Sequence, residues 1–387
     1  MAFLLISPMF ISCVEFMKQK KQFLLVEPVA KTPYPPLGLM KISSMLKDKH
    51  TDCSVFSQVG NAIPQGLSNP EQIYITTLFT WDLHKVISSI DFYKRQFPDA
   101  DINVGGIAAS LLPEEIKDAT GIEPHQGLLE PAESYPPDYS LTFDRKNKTS
   151  ISYTTRGCIR KCQFCNVNKL EPQFLVKNDW ERDIDLSLPQ ITFWDNNWLA
   201  SPNFELDALK ISELNKKVDF NQGLDARLYT GSVAKLLSKI NIDPIRFAFD
   251  DICYEKSVLN AIKIAKKHSS REISVYVLYN FNDTPEEFYY KIDLLNRNKV
   301  LVFPMGYRGP ISLKRVLPGK HWNSYLLRAL KLTLLFYYRR GMITESRESF
   351  LSIYGNNAEE FKAKLYSVYE YDKNLKRKPA IEEGSDA

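Results

Sequence analysis

The first part of the chain alternates short apolar runs with amphipathic segments. Runs such as QFLLVEP and QIYITTLFT have the length and composition of buried strands, whereas DLHKVISSIDFYKRQF shows the 3.6-residue period of a helix. Over residues 17–130 this alternation predicts a Rossmann-like, doubly wound parallel sheet with helices on both faces. Another strand-like run, DINVGGIAA, contains Gly105 and Gly106, which either let a ligand approach the backbone or form a tight turn. GIEPHQG is a candidate for a further strand.

The same alternation returns after a proline-rich segment, residues 131–149, that has the composition of an interdomain linker. Over residues 150–312 it predicts a partial (β/α)6 barrel, whose functional residues would lie in the loops after the strands. Thr284 and Glu287 predict a capping box at the start of the last helix of this region. The six predicted strands are SISYTTR, QITFWDN, KVDFNQGLD, IRFAFDD, ISVYVLYN and VLVFPMGY.

The two ends of the chain have patterns of their own. Residues 1–16 are apolar, but they lack a positive n-region and a small-residue cleavage pattern and are too short to span a bilayer. We interpret them as a dispensable extension before a start at Met17; a membrane or export signal and an ordinary first strand are the alternatives. Residues 313–375 predict helices that pack on the open side of the barrel or form a lid over the substrate. Residues 376–387 predict a disordered tail.

The composition excludes several classes of protein. Of the 387 residues, 44% are hydrophobic and 25% are charged, which is ordinary for a globular domain. The net charge of +4 gives no general field for polyanions, so contact with a nucleic acid would need a local basic patch. Half of the six cysteines lie in one cluster, unlike the dispersed cysteines of a secreted disulfide framework. We therefore expect a cytoplasmic protein that does not bind membranes.

That cluster, TTRGCIRKCQFCNV, places Cys158, Cys162 and Cys165 within eight residues. A structural zinc site needs four ligands, but no second cysteine pair is present and the next histidine is His268. The glycine and basic residues between the cysteines also argue against an inert apolar helix face. Three thiolates suit a 4Fe-4S cluster in which one iron stays open to a small molecule. The other cysteines are expected to be buried and replaceable: Cys13, Cys53 and Cys253.

The spacing C-x3-C-x2-C, with an aromatic residue before the last cysteine and a position after the first barrel strand, resembles the radical S-adenosylmethionine (radical SAM) superfamily. The segment VGGIAASLLPEE and the proline-rich linker are similar to the branch with an N-terminal cobalamin-binding domain. The resemblance implies that the open iron binds S-adenosylmethionine. An electron from a donor such as flavodoxin or ferredoxin would then release a 5′-deoxyadenosyl radical that abstracts hydrogen from the substrate.

The resemblance to this branch would imply that the first domain binds cobalamin. The first domain has the paired glycines of a cobalamin binder, but it lacks D-x-H-x-x-G, the motif whose histidine binds cobalt in many such domains. Members of the branch can bind cobalamin without that histidine. Cobalamin binding and a degenerate domain that shields the barrel mouth are therefore both open from the sequence.

The resemblance further implies contacts to S-adenosylmethionine at the strand ends. Phe164 would lie by the adenine, and Arg227 could bind a carboxylate through two hydrogen bonds. Asp250, followed by Asp251, would lie near the ribose, although either aspartate could simply cap the next helix. The segment DNN departs from the glycine–glycine–glutamate that often binds the amino group at this place. The full set of implied contact residues is Phe164, Asp195, Asn196, Gln222, Asp225, Arg227, Asp250, Tyr279 and Asn280.

These features favour a radical SAM enzyme that abstracts hydrogen from, methylates or rearranges a small-molecule or nucleoside-like substrate. An enzyme that modifies RNA is the first alternative, because YYRRG and KNLKRK could contact phosphates. A non-enzymatic iron–sulfur or zinc-binding protein is the second. The polar strand ends argue against the second alternative, since an electron carrier needs no polar pocket.

Overall fold

The structure, a computed structural model, describes residues 20–29, 32–309, 317–337 and 346–377. The predicted extension at residues 1–16, with Cys13, lies outside these ranges, as does the predicted tail from residue 378 onward.

The N-terminal unit is a parallel sheet of the order β2-β1-β3-β4. Its central strand is apolar on both sides: Leu24 and Val26 pack under α2, and Phe23 and Leu25 pack under α1. Burial of both faces is what a parallel sheet between helix layers requires. The elements are β1 (Lys21–Glu27), α1 (Leu37–Lys49), β2 (Cys53–Val59), β3 (Pro70–Thr77), α2 (Leu83–Gln96), β4 (Asp101–Gly106), α3 (Ile107–Leu111), α4 (Pro113–Thr120) and α5 (Glu130–Glu133).

The sequence predicted a parallel sheet here, which the structure shows, but it predicted a last strand that is too long. DINVGGIAA was expected to be extended throughout, but β4 ends at Gly106 and α3 begins at Ile107. Residues 121–127, which are all described, form no strand. Their link to the sheet is a single backbone hydrogen bond, donated by the His125 N–H to the Val104 carbonyl over 2.7 Å.

The segment predicted as a linker is anchored to both of its neighbours. The Ser43 hydroxyl of α1 donates to Asp138 over 2.6 Å. The Tyr139 hydroxyl accepts from the Ile151 N–H over 2.7 Å and so reaches the first strand of the second unit. These bonds hold α1 of the N-terminal unit beside the second unit.

The second unit contains the six predicted strands, now β5, β8, β9, β11, β12 and β13, in parallel sheets with helices between them. They lie in two sheets, of the orders β10-β9-β8-β5 and β11-β12-β13, rather than in one continuous array. The elements are β5 (Thr149–Ser152), β6 (Thr155–Arg156), α6 (Val167–Leu170), β7 (Leu175–Val176), β8 (Gln190–Phe193), α7 (Phe204–Glu213), β9 (Lys217–Phe220), α8 (Gly231–Leu237), β10 (Asn241–Ile242), β11 (Ile245–Ala248), α9 (Glu255–His268), β12 (Ile273–Tyr279), α10 (Pro285–Arg297) and β13 (Leu301–Gly306).

Polar contacts join the two sheets between β9 and β11. Arg246 donates to both carboxylate oxygens of Asp219, over 2.8 and 3.0 Å. The Leu224 N–H donates to the Arg246 carbonyl over 2.8 Å. The predicted capping box of α10 is confirmed, because the Glu287 N–H donates to the Thr284 hydroxyl and the Thr284 N–H donates to the Glu287 carboxylate.

The C-terminal helices pack on the outside of this unit. They are α11 (Ser324–Tyr337), α12 (Arg347–Tyr354) and α13 (Ala358–Arg377). Trp322, Leu330, Phe350 and Phe361 from this region belong to the same hydrophobic core as Phe288 of α10. Helix α13 extends to Arg377, two residues into the predicted tail. No described helix is long and apolar enough to cross a bilayer.

Candidate functional site

The cysteine loop, residues 157–166, follows β6 and is fixed at its start by a half-buried ion network. Arg156 donates to Glu171 and to Glu133, each over 2.8 Å. The Gly157 N–H donates to Glu171 over 2.7 Å. Gly157 has a φ of +73°, and a Cβ there would lie 2.1 Å from the Gln173 carbonyl oxygen, so only glycine fits without rearrangement.

Asp195 lies under the strand that leads into this loop. Its buried carboxylate accepts hydrogen bonds from the backbone N–H groups and the hydroxyls of Thr154 and Thr155, at 2.6 to 3.1 Å. Burial raises the pKa of Asp195, although these donors oppose the rise. In the structure Asp195 therefore holds the chain before the cysteines. Its neighbour Asn196 donates to Glu171 over 3.0 Å and supports the same segment.

Asp225 joins the cysteine loop to the end of β9. It accepts from the Arg160 Nε over 3.0 Å, from the Asn197 amide over 3.2 Å and from two nitrogens of Arg227 over 2.7 and 3.1 Å. Burial would raise the pKa of Asp225, but the hydrogen bonds and positive charges of Arg227 and Arg160 lower it, so the carboxylate is charged. The predicted two-pronged contact of Arg227 is thus made to a carboxylate of the same chain.

Two of the residues that donate to Asp225, Asn197 and Arg160, also contact Cys158. The Asn197 amide nitrogen donates to the Cys158 sulfur over 3.7 Å, and the Arg160 N–H donates to it over 3.3 Å. Asn197 is buried, and its side-chain oxygen has no hydrogen-bond partner among the described residues. The free acceptor beside a cysteine is a position where a polar ligand group would be satisfied.

The three thiols are half-buried in one loop. Burial raises the pKa of Cys162, with Arg227 acting in the opposite direction, and it also raises the pKa of Cys165. Among the described residues, no three His, Cys, Asp or Glu side chains are arranged around a point that could hold one metal ion. A cubane cluster does not need such a point, because each cysteine binds a different iron. Three thiols in one loop are a donor set that a cluster with one open iron could use.

A cavity of about 390 Å³ opens beside this loop, at the carboxyl ends of β11 and β12. Cys162 and Phe164 form one wall, and Asp250 and Asp251 form another. The Phe164 ring meets Phe281 edge to face, with the ring centroids 6.0 Å apart. The size falls within the range of small-molecule sites, about 300–1,000 Å³.

The cavity also has a charged wall that the sequence did not indicate. Lys291 of α10 is buried and donates to the carbonyls of Asp250 and Leu278, over 3.1 and 2.7 Å. Burial raises the pKa of Asp250 to about 6, while Lys291 and Arg227 act to lower it. Asp283, which also lines the cavity, has a buried oxygen without a hydrogen-bond partner among the described residues.

The structure places the remaining predicted residues away from this cavity. Gln222 is exposed and donates to Asn221. The Tyr279 ring packs between Phe288 and Trp322. Asn280 is buried with a φ of +68°.

Asn280 forms hydrogen bonds with backbone groups of Tyr307, Leu317 and Gly319, which precede α11 in the chain. Its amide nitrogen donates to the carbonyls of Tyr307 and Leu317, each over 2.9 Å, and its oxygen accepts from the Gly319 N–H. All of these partners are backbone groups, so the side chain is fully occupied.

The structure also describes two cysteines outside the motif, Cys53 and Cys253. Cys53 is half-buried, with its sulfur 3.8 Å from the Leu46 carbonyl oxygen. Cys253 is exposed, which corrects the expectation that it is buried. It follows the short turn after β11, where Asp251 caps the next residues and its own N–H donates to Asp251 over 2.9 Å.

Three candidate functional residues were not predicted from the sequence: Asn197, Lys291 and Asp283. Asn197 is the third residue of DNN and differs from Asn196 only in the direction of its side chain. Lys291 is brought to the cavity by the packing of α10 on β12, a contact that no local pattern reports. Asp283 lies in the loop that follows β12, where a polar residue at a strand end could have been noticed.

No protein-family model and no curated protein matches the chain in sequence. Among solved structures, the apo form of the cobalamin-dependent S-adenosylmethionine radical enzyme OxsB is similar to it, with a TM-score of 0.50 and 14% identity. The similarity covers 72% of this chain and 52% of that one. The chain shares the fold of that radical enzyme. The resemblance to the radical SAM superfamily inferred from the cysteine motif is thus confirmed at the level of the fold.

Another radical SAM structure is similar over a shorter part of the chain. It is coproporphyrinogen III oxidase (HemN) from Escherichia coli, with a TM-score of 0.34, 14% identity, and coverage of 50% of this chain and 52% of that one. The chain spans about half the length of both solved structures.

Proposed function

We propose that the protein is a radical SAM enzyme whose cluster ligands are Cys158, Cys162 and Cys165. The observation that carries the proposal is the cavity that begins at Cys162 and Phe164 and continues to the ends of β11 and β12. A molecule in this cavity would lie against the cysteine loop. A cluster bound there would supply one electron to cleave S-adenosylmethionine into methionine and a 5′-deoxyadenosyl radical.

The side chains around the cavity suit the parts of that molecule. Phe164 and Phe281 offer aromatic surface to the adenine. Asp250 and Asp251 can accept hydrogen bonds from the ribose hydroxyls when they are charged.

The surrounding architecture supports chemistry that must exclude water. We infer that the six parallel strands of the second unit form the predicted partial barrel, with β9 and β11 joined by the Arg246–Asp219 pair. The N-terminal unit contacts this barrel through several side chains, two of which make aromatic contacts. Tyr34 packs edge to face on Trp194, with the centroids 5.5 Å apart, and Arg308 lies 4.5 Å from the centroid of the Trp81 ring.

These contacts favour the interpretation of the N-terminal unit as a cover over the barrel. The substrate in this proposal is a small or nucleoside-like molecule, and the electron donor is a flavodoxin or ferredoxin. Cobalamin binding is the alternative role for the N-terminal unit, and OxsB, the structure with the same fold, is described as cobalamin-dependent.

Anaerobic reconstitution with iron and sulfide tests the proposal. We expect about four irons per chain and formation of 5′-deoxyadenosine when dithionite and S-adenosylmethionine are added. Protein that binds zinc instead, or that holds a cluster but never forms 5′-deoxyadenosine, would contradict the proposed function.

A further inference from the structure

Asn197 contacts both Cys158, a proposed cluster ligand, and the charged carboxylate of Asp225. Its amide nitrogen donates both to the Cys158 sulfur, over 3.7 Å, and to the Asp225 carboxylate, over 3.2 Å. Its side chain is almost completely buried, at 3% exposure. The contact to sulfur is therefore protected from competition by water.

We propose that Asn197 and Asp225 form a positioning pair that sets the reduction potential at Cys158, with opposite effects from the two residues. This inference rests on the proposed function, since it requires a cluster at the three cysteines. The potential of an iron–sulfur cluster depends on the hydrogen bonds to its sulfurs, on nearby charge and on exposure. Both members of the pair act through the first two of these factors.

Asn197 favours the reduced state. Adding one electron makes the cysteine sulfurs more negative, so an N–H donor aimed at sulfur stabilises the reduced state more than the oxidised state. Removing the donor should make reduction harder.

Asp225 has the opposite effect. Its side chain is only 5% exposed and its carboxylate is charged, so like-charge repulsion disfavours the added electron. Arg160 and Arg227 compensate much of this charge while they hold the carboxylate in place. Neutralising Asp225 should therefore make reduction easier, even though Asn197 loses part of its anchor.

The opposite signs separate this role from a merely structural one. A loosened cysteine loop would lower the iron content in both variants, or shift both potentials in the same direction. Asn196 provides a matched control. It is the neighbouring amide in the same loop, but it donates to Glu171 and makes no contact with sulfur among the described residues.

The experiment is a spectroscopic redox titration of the reconstituted full chain, followed by electron paramagnetic resonance. For Asn197→Ala we expect a more negative midpoint potential, with about a tenfold weaker reduction equilibrium, or about 59 mV for one electron. For Asp225→Asn we expect a shift toward positive potential, and for Asn196→Ala a potential close to that of the wild type.

The inference is overturned by unchanged potentials in both variants, or by shifts of the same sign in Asn197→Ala and Asp225→Asn. An equal shift in Asn196→Ala would also overturn it, because the effect would then come from the loop as a whole. Failure of the proposed function would look different, since the wild-type protein would hold no cluster or would form no 5′-deoxyadenosine.

Discussion

Arg156 donates a hydrogen bond to Glu133 over 2.8 Å and so connects the segment between the two units to the start of the cysteine loop. Glu133 also accepts from Lys41 of α1, over 3.3 Å, and Lys41 is buried at 1% exposure. The side chain of Arg156 lies 3.7 Å from the centroid of the Tyr153 ring. The position of Cys158 is thus tied to the N-terminal unit through three charged side chains.

Arg156→Leu should therefore destabilise the protein and reduce cluster assembly. The variant leaves Glu133 and Glu171 without their shared cation. Breaking a fully buried ion pair from one side costs about 3 kcal/mol, and this pair is half-buried, so a loss of about 1–3 kcal/mol is expected. Chemical denaturation of the apoprotein measures the loss, and iron content after reconstitution measures the assembly. Arg182→Leu is the matched control. That arginine forms an exposed pair with Asp179, so a change of under about 1 kcal/mol is expected. Equal losses in both variants would contradict the role of Arg156.

Cys162→Ala should lose most of the iron and all formation of 5′-deoxyadenosine. Only two of the three thiolates remain in this variant, and the missing one is the ligand that lines the cavity. Cys253→Ala is the control, because Cys253 is exposed and distant from the proposed ligand set in sequence. Iron analysis and product chromatography give the two readouts. Retention of full iron and activity in Cys162→Ala would show that the ligand assignment is wrong.

Binding of S-adenosylmethionine should weaken as the pH falls through the pKa of Asp250. Burial raises the pKa of Asp250 from its ordinary value to about 6, so the carboxylate is charged at pH 7.5 and mostly protonated at pH 5.5. If the charged form binds the ribose, affinity at pH 5.5 should be about fourfold lower than at pH 7.5.

Calorimetric titration of wild type and Asp250→Asn checks this dependence. The variant should bind weakly at both pH values. Asp251→Asn should keep a pH dependence of the same sign, because the hydrogen bond from Cys253 lowers the pKa of Asp251 and Asp251 is not the titrating group. The midpoint should move to a lower pH, since the charge of Asp251 helps to raise the pKa of Asp250. A pH dependence that persists in Asp250→Asn would assign the titration to another group.

The periodicity of the sequence was sufficient to predict the elements that position the site. The strands β1, β3, β8 and β12 combine apolar content with short length, and the helices between them keep a 3.6-residue period. The capping box at Thr284 could also be predicted, because both partners lie within three residues of each other. Local rules suffice where the interaction itself is local.

The orientation of polar side chains at strand ends could not be predicted in the same way. Asp195 and Asp250 both follow a strand, but the first accepts hydrogen bonds from Thr154 and Thr155 and the second lines the cavity. Lys291 lies in an amphipathic helix, where a lysine usually reaches solvent, and is instead held by two carbonyls from other elements. These differences depend on tertiary packing, and a single sequence carries no local signal for it.

The N-terminal unit gives the last prediction, which concerns cobalamin. Gly106 has a φ of +111°, and a Cβ there would lie 2.5 Å from the Thr77 carbonyl oxygen. This glycine is therefore explained by the contact between β3 and β4 rather than by an approaching ligand. The His125 ring is bonded to the Leu128 carbonyl over 3.0 Å, and residues 121–127, all described, add no strand to the sheet.

We therefore expect protein incubated with hydroxocobalamin and desalted to retain no stoichiometric cofactor by visible absorbance, while still forming 5′-deoxyadenosine. Gly105 offers an internal check, since a Cβ there would meet only His125, at an ordinary 3.9 Å. Gly105→Ala should thus be tolerated in stability and activity. Stoichiometric retention by the wild type, abolished in Gly105→Ala, would instead show that a ligand approaches the end of β4 and that the N-terminal unit is a cofactor domain.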